Sequence, residues 1–243
     1  MKDQYTSYTG ITDTVLDQLN IQLLAEFKKY NANGNKLYGS YMTVGQQYEN
    51  ELLVIGRQPI YWREEFSTNE LLTMGEEYIF RTKVRYPALY GVDDLCPLSH
   101  LSDKSIHDPF CSCIKEIVQK LGMCRDESKW SSNIALTYLY KVAYSSKKYI
   151  GEKPQQIQFA YCKEILDLEL HILKPKRVLF LTGINHAANF LKLPDNLNIN
   201  EPVINLGQYN FASHKAKTVV SSNAQKYLQN NLVDLILEAF WEG

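Results

Sequence analysis

The stretch ELLVIGRQPIYW, from Glu51 to Trp62, places Leu52, Leu53, Val54 and Ile55 in an unbroken apolar row and then stops on Gly56, Arg57, Gln58 and Pro59. A run of this kind reads as a strand covered on both faces, the habit of parallel strands between helix layers. Glycine followed by a cation, an amide and a proline ends the strand in a loop. In open α/β sheets, ligands bind outside the carboxyl ends of the strands. Gly56, Arg57, Gln58, Pro59, Tyr61 and Trp62 are therefore candidate ligand-contacting residues, against the plainer reading of a turn. Arg57 has two roles open: a phosphate or base contact through its planar donor fork, or a structural ion pair with a carboxylate.

The same pattern recurs downstream. In KPKRVLFLTG, Arg177 to Leu181 is a buried strand that ends on Thr182-Gly183, and INHAANFL opens a helix directly after the glycine. KTVVSS is a third short strand, with Ser222 or Asn223 as the N-cap of a last helix whose Tyr227, Leu228, Leu232, Leu235, Ile236 and Phe240 share one face. Helical spacing also marks Thr12 to Tyr30, through Val15, Leu16, Leu19, Leu23, Leu24 and Phe27. A long amphipathic helix is expected from Pro154 to Leu173, with Ile157, Ala160, Tyr161, Ile165, Leu168 and Ile172 inward. Thr68 to Phe80 and Cys113 to Leu121 read as shorter helices, NANGNKLYGS as a turn-rich connection, and SSNIALTYLYKVA as a strand leading into a loop. Arg81 to Pro109 is rich in breakers, and long irregular stretches in compact domains are often functional.

Helices and short apolar strands in alternation predict an α/β fold, a three-layer α/β/α sandwich on a mainly parallel, roughly four-stranded sheet. Strands at Glu51–Ile55, Arg177–Leu181 and Thr218–Val220 are expected as parallel neighbours. With no repeat or linker in the chain, residues 1–243 read as a single domain with an N-terminal helical extension at about 1–40.

Composition narrows the function classes. The chain has 243 residues, 45% hydrophobic and 22% charged, the balance of an ordinary globular protein. No apolar run approaches the roughly 20 residues that span a bilayer, and the opening MKDQYTSYTG has no apolar signal region, so no membrane and a cytoplasmic location are expected. Five scattered cysteines are expected as free thiols, and their spacing builds no metal site. A net charge of −1 gives no global footprint for nucleic acid, although Pro202 to Val233 lacks any acid and holds Lys215, Lys217 and Lys226. No P-loop, dinucleotide fingerprint or nucleophile elbow is present, so no cofactor is expected. His186 and His214 are candidates for proton transfer, with surface histidines as the plainer alternative.

The order of LLVIGRQP, NIALTYLYKVA, CKEILDLELHILKPKRVLFLTG and KTVVSSNAQKY resembles the uracil-DNA glycosylase-like superfamily over roughly Tyr41 to Trp241. The resemblance implies a parallel four-stranded sheet between helices and a pocket for a flipped-out base, the requirement for chemistry on a base in a duplex. It implies DNA or another nucleobase-containing ligand as partner, with Gln58 and Asn223 at the catalytic positions. Gly56, Arg57, Pro59, Tyr61, Trp62, Asn133, Tyr138, Gly183 and Ser222 would be ligand-binding. Departures from the pattern matter. Gln58 stands where one major branch carries Asp, Asn223-Ala224 where a late His-Pro is usual, and Tyr138 where a base-reading Asn is expected, with Asn133 five residues earlier. An amide orients water but cannot take its proton. The expected function is base or nucleic-acid binding with uracil excision weak or lost. Its alternatives are an active DNA N-glycosylase and an unrelated α/β small-molecule enzyme.

Overall fold

The computed structural model describes residues 11–30, 37–39, 42–45, 47–59, 109–125, 127–144, 151–193, 197–198, 200–221 and 231–242. Among them, five helices are α1 (Ile11–Tyr30), α2 (Pro109–Lys120), α3 (Glu152–Leu173), α4 (Ile184–Phe190) and α5 (Leu232–Trp241). The strands are β1 (Leu37–Gly39), β2 (Thr43–Val44), β3 (Leu52–Gly56), β4 (Ala135–Tyr138), β5 (Val142–Tyr144), β6 (Arg177–Leu181), β7 (Val203–Asn210) and β8 (Lys215–Ser221). A 3-10 helix, Glu127–Asn133, leads into β4.

Six strands form one sheet in the order β2-β4-β3-β6-β8-β7. The central β4, β3, β6 and β8 are parallel, as expected for β3, β6 and β8. β3, β6 and β8 are adjacent, with Val54 opposite Leu179 and Leu179 opposite Val219. Two antiparallel edges, β2 and β7, extend the sheet beyond the four strands expected. β7 escaped the sequence reading because its pattern breaks at a bulge between Asn205 and Gln208. There Gly207 takes φ +57° and donates its N–H to Asn205 Oδ1 at 2.9 Å. β1, inside the supposed turn-rich connection, pairs with β5 in a separate two-stranded sheet.

Side-chain alternation builds two cores. Leu53, Ile55, Ala135, Val178, Phe180 and Val220 face α1, α3 and α4. Leu52, Val54, Leu136, Leu179, Leu181 and Val219 face α2 and α5. Continuous burial of β3 on both sides follows from this, and so does the absence of polar alternation in its sequence. Helix α1 packs its Leu16, Leu23 and Phe27 into the first core, while Val15 remains 39% exposed.

The inward face of α3 corrects the periodicity reading. Its buried stripe is Gln155, Gln158, Cys162, Ile165, Leu166, Glu169, Leu170 and Leu173, whereas Ala160 is exposed and Ile157, Tyr161, Leu168 and Ile172 are only partly covered. Two polar residues displace the expected apolar ones because partners wait for them inside. Gln158 Oε1 accepts from the Val142 N–H at 3.1 Å, and its Nε2 donates to the Val142 carbonyl at 3.0 Å. Glu169 meets Lys141 and Thr137. The thiol expectation also needs correction, for Cys111 takes part in a disulfide, while Cys113, Cys124 and Cys162 are free. The helix expected at 68–80, residues 81–108 of the breaker-rich stretch, and Tyr227 and Leu228 lie outside the described residues.

Candidate functional site at the carboxyl edge of the sheet

Parallel strands bring their carboxyl ends to one edge, and the connections there part company at β3. Beyond β3 the chain reaches α2 on one face, whereas β4 and β6 lead into α3 and α4 on the other. Loops diverging to opposite faces leave a crevice between them, the switch point at which open α/β sheets hold ligands. Gly56, Arg57, Gln58 and Pro59 occupy that position.

Each of the four is placed by a local reason. Gly56 lies opposite Tyr138 in the ladder, and a Cβ there would stand 2.6 Å from Tyr138 Cε1 and 3.1 Å from Phe110 Cζ. Its glycine admits the Tyr138 ring, which stacks on Phe110 at 6.3 Å between centroids. The ladder then runs past the strand ends: the Leu139 N–H donates to the Gly56 carbonyl at 2.8 Å, and the Tyr140 N–H to the Arg57 carbonyl at 3.0 Å. Gln58 is 3% exposed and Pro59 is buried beside it.

From β6, Thr182 and Gly183 turn the chain into α4, with Gly183 at φ +83° where an L side chain would be strained. The Gly183 N–H donates to the Ser221 carbonyl at 3.1 Å, tying the ends of β6 and β8. One turn on, His186 meets the Tyr140 ring edge to face at 6.4 Å, and Tyr140 also packs on Phe190 at 5.4 Å. Burial and the nearby Arg57 guanidinium hold the His186 imidazole down at about 4. It is neutral at physiological pH, able to donate and accept hydrogen bonds but not to act as a cation.

The edge therefore unites Gly56, Arg57, Gln58, Pro59, Tyr138 and Gly183 with His186 and with Tyr140, a residue of NIALTYLYKVA that had not been singled out there. Asn133 is not brought to it. It closes the 3-10 helix at the amino end of β4, five residues or roughly 16 Å from Tyr138 along a strand. Counting back from a motif put it near the site, and the direction of the strand puts it at the far edge. Tyr61, Trp62, Ser222 and Asn223 lie outside the described residues.

His214 and two of the lysines from the acid-free segment also belong to the far edge. His214 precedes β8 and neighbours Pro175, Lys174 and His171, while Lys215 and Lys217 begin β8. At the same edge Lys176 and Arg177 converge on Glu51, Arg177 Nη1 at 2.8 Å from Oε2. The Lys176 hydrogen bond, with both cations nearby, holds the Glu51 carboxyl below its usual range.

No carboxylate occurs among residues 56–59, 138–141, 181–187 and 221, the described part of the carboxyl edge. Glu169 comes near but is 1% exposed and closed off by Lys141 and Thr137. Among the described residues, no three His, Cys, Asp or Glu side chains gather to hold a metal ion, and no helix is long and apolar enough to cross a membrane. No protein-family model matches the chain, and no curated protein matches it in sequence.

Proposed function

We propose that the carboxyl edge binds a nucleobase, nucleotide or nucleic acid in the manner of the uracil-DNA glycosylase-like proteins, with uracil excision weak or lost. The observation that carries this reading is the chemistry at the switch point: a buried amide, a neutral imidazole and a permanent cation, with no accessible carboxylate among the described residues of this edge. A neutral imidazole offers both a donor and an acceptor, matching the mixed edge of a base. A guanidinium fork suits phosphate.

The same set is poor at cleaving an N-glycosyl bond. General-base catalysis typically contributes ~10²–10⁴-fold, and Gln58 cannot supply it. One donor to developing negative charge is worth roughly 10²–10³-fold, and the late motif carries Asn223-Ala224 in place of His-Pro. Stacking and phosphate contacts require neither loss to be repaired.

A single-turnover assay on uracil-containing DNA, run beside an equilibrium binding assay on the same oligonucleotide, tests the proposal. Salt-sensitive binding with uracil release far below that of an active glycosylase is expected. Rapid release abolished by Gln58→Ala would restore the active N-glycosylase.

A further inference from the structure

A buried polar network lies directly behind the candidate site, built from β4, the β4–β5 turn and α3. Lys141 Nζ donates to both Glu169 oxygens at 2.8 Å and to Thr137 Oγ1 at 2.5 Å, and Thr137 donates to Glu169 Oε2 at 2.8 Å. All three ammonium donors are thereby used, and the hydroxyl both accepts and donates. Lys141 is 2% exposed, Glu169 1% and Thr137 0%. Cys162 and Gln158, both 0% exposed, continue the stripe along α3, with the thiol 3.3 Å from Gln158 Oε1.

Stability alone does not account for such a pair. Removing two charges from water is expensive, and well-packed apolar residues of similar volume are often as stable or more so. What the network does accomplish is geometric. Four consecutive residues are pinned from two sides: Leu139 and Tyr140 by the Gly56 and Arg57 carbonyls, Lys141 by Glu169, and Val142 by both polar groups of the Gln158 side chain. Gln158 and Glu169 are eleven residues apart on one rigid helix, about three turns or 16 Å. They fix where the turn sits along the sheet.

We infer that Lys141, Glu169 and Thr137 are positioning residues, setting the β4–β5 turn against the Gly56–Pro59 loop so that Tyr140 and Arg57 meet His186. The inference rests on reading this edge as the ligand site, but its geometric content can be measured without a ligand. Among the described residues, the Tyr140 ring from the β4–β5 turn packs on the His186 ring and the Arg57 charge from the β3 loop acts on it, so the ring reports on both.

The test is the double variant Lys141→Met/Glu169→Leu, compared with the intact protein by thermal unfolding, by NMR titration of the His186 ring and by binding of a uracil-containing oligonucleotide. A folded variant whose His186 midpoint moves up from about 4 toward 6.5, and whose oligonucleotide affinity falls about tenfold, is the expected result. An unchanged His186 midpoint in a folded variant overturns the inference, whatever happens to binding. If the intact protein binds no oligonucleotide, the functional reading fails, while a moved midpoint still upholds the positioning role. Should the double variant not fold, Thr137→Val removes one hydroxyl at nearly constant volume. It must then move the same midpoint in the same direction, and an unchanged midpoint is again fatal.

Discussion

Replacing Gly56 by alanine probes the junction on which the candidate site is built. The backbone at Gly56 is not in the left-handed region, so alanine meets no conformational penalty there. The obstacle is steric. A Cβ would stand 2.6 Å from Tyr138 Cε1 and 2.7 Å from Cδ1, against ordinary contacts near 3.5–4.0 Å. About 1 Å of movement is needed, and little is on offer. The ring is stacked on Phe110, and Gly56 is laddered to Tyr138 on one side and Leu181 on the other. Overpacking of this kind costs typically ~1–3 kcal/mol. In a domain of this size that lowers Tm by roughly 2–12 °C, readable by calorimetry or circular dichroism. Tyr138→Ala should relieve the clash, so the cost of Gly56→Ala in that background falls close to zero, a coupling of ~1–3 kcal/mol in a double-mutant cycle. If Gly56→Ala leaves Tm unchanged, or costs as much without the Tyr138 ring, the steric account of this glycine is wrong.

Other expectations follow from the same geometry. Gly45→Ala should cost more than Gly56→Ala, about 3 kcal/mol or above, because its Cβ would fall 2.2 Å from the Ser132 carbonyl oxygen and backbone cannot rotate away; equal Tm shifts would contradict this. Gln158→Ala should cost ~2–4 kcal/mol by denaturant unfolding, since it strands the Val142 N–H and carbonyl inside the core. His186, held at about 4 against an ordinary 6.5, binds more protons unfolded than folded between those values, so stability is full above about 6.5 and falls as pH drops toward 4. The whole shift converts to roughly 3 kcal/mol, and partial exposure of the ring reduces this to about 1–2 kcal/mol. His186→Phe should flatten that part of the pH–stability profile. Burial pushes the Cys113 and Cys162 thiols up to about 12, so both should resist alkylation at pH 8 until the protein unfolds.

The parallel core was legible because β3 and β6 are covered on both faces and so write continuous apolar runs, with the shorter Val219-Val220 pair marking β8. The antiparallel edge β7 was not, because the Gly207 bulge interrupts its alternation and no local signal marks its pairing with β8. The loop after β3 could be read as a site from its position alone. What the linear sequence hid were contacts between distant residues. Glu169 faces inward only because Lys141, 28 positions away, is there to meet it. A faint sign of both was present: a lysine amid the apolar run ALTYLYKVAY and a glutamate amid ILDLELHIL. Asn133 was misplaced for a different reason. Spacing from a motif gives distance along the chain, whereas strand direction decides which edge of the sheet a residue reaches. Direction also separates His186, which follows a strand and lies at the carboxyl edge, from His214, which precedes one and lies at the amino edge.

Those two histidines make the most direct test of the central claim. With the ring resonances of His186 and His214 assigned, a uracil-containing oligonucleotide is titrated in at low and then at physiological salt. Binding at the carboxyl edge predicts a saturable shift of the His186 resonances that weakens as salt rises, with His214 unmoved. A shift confined to His214 would put the ligand on the lysine-bearing amino edge. That result, or binding that disturbs neither ring, would contradict the assignment of the site.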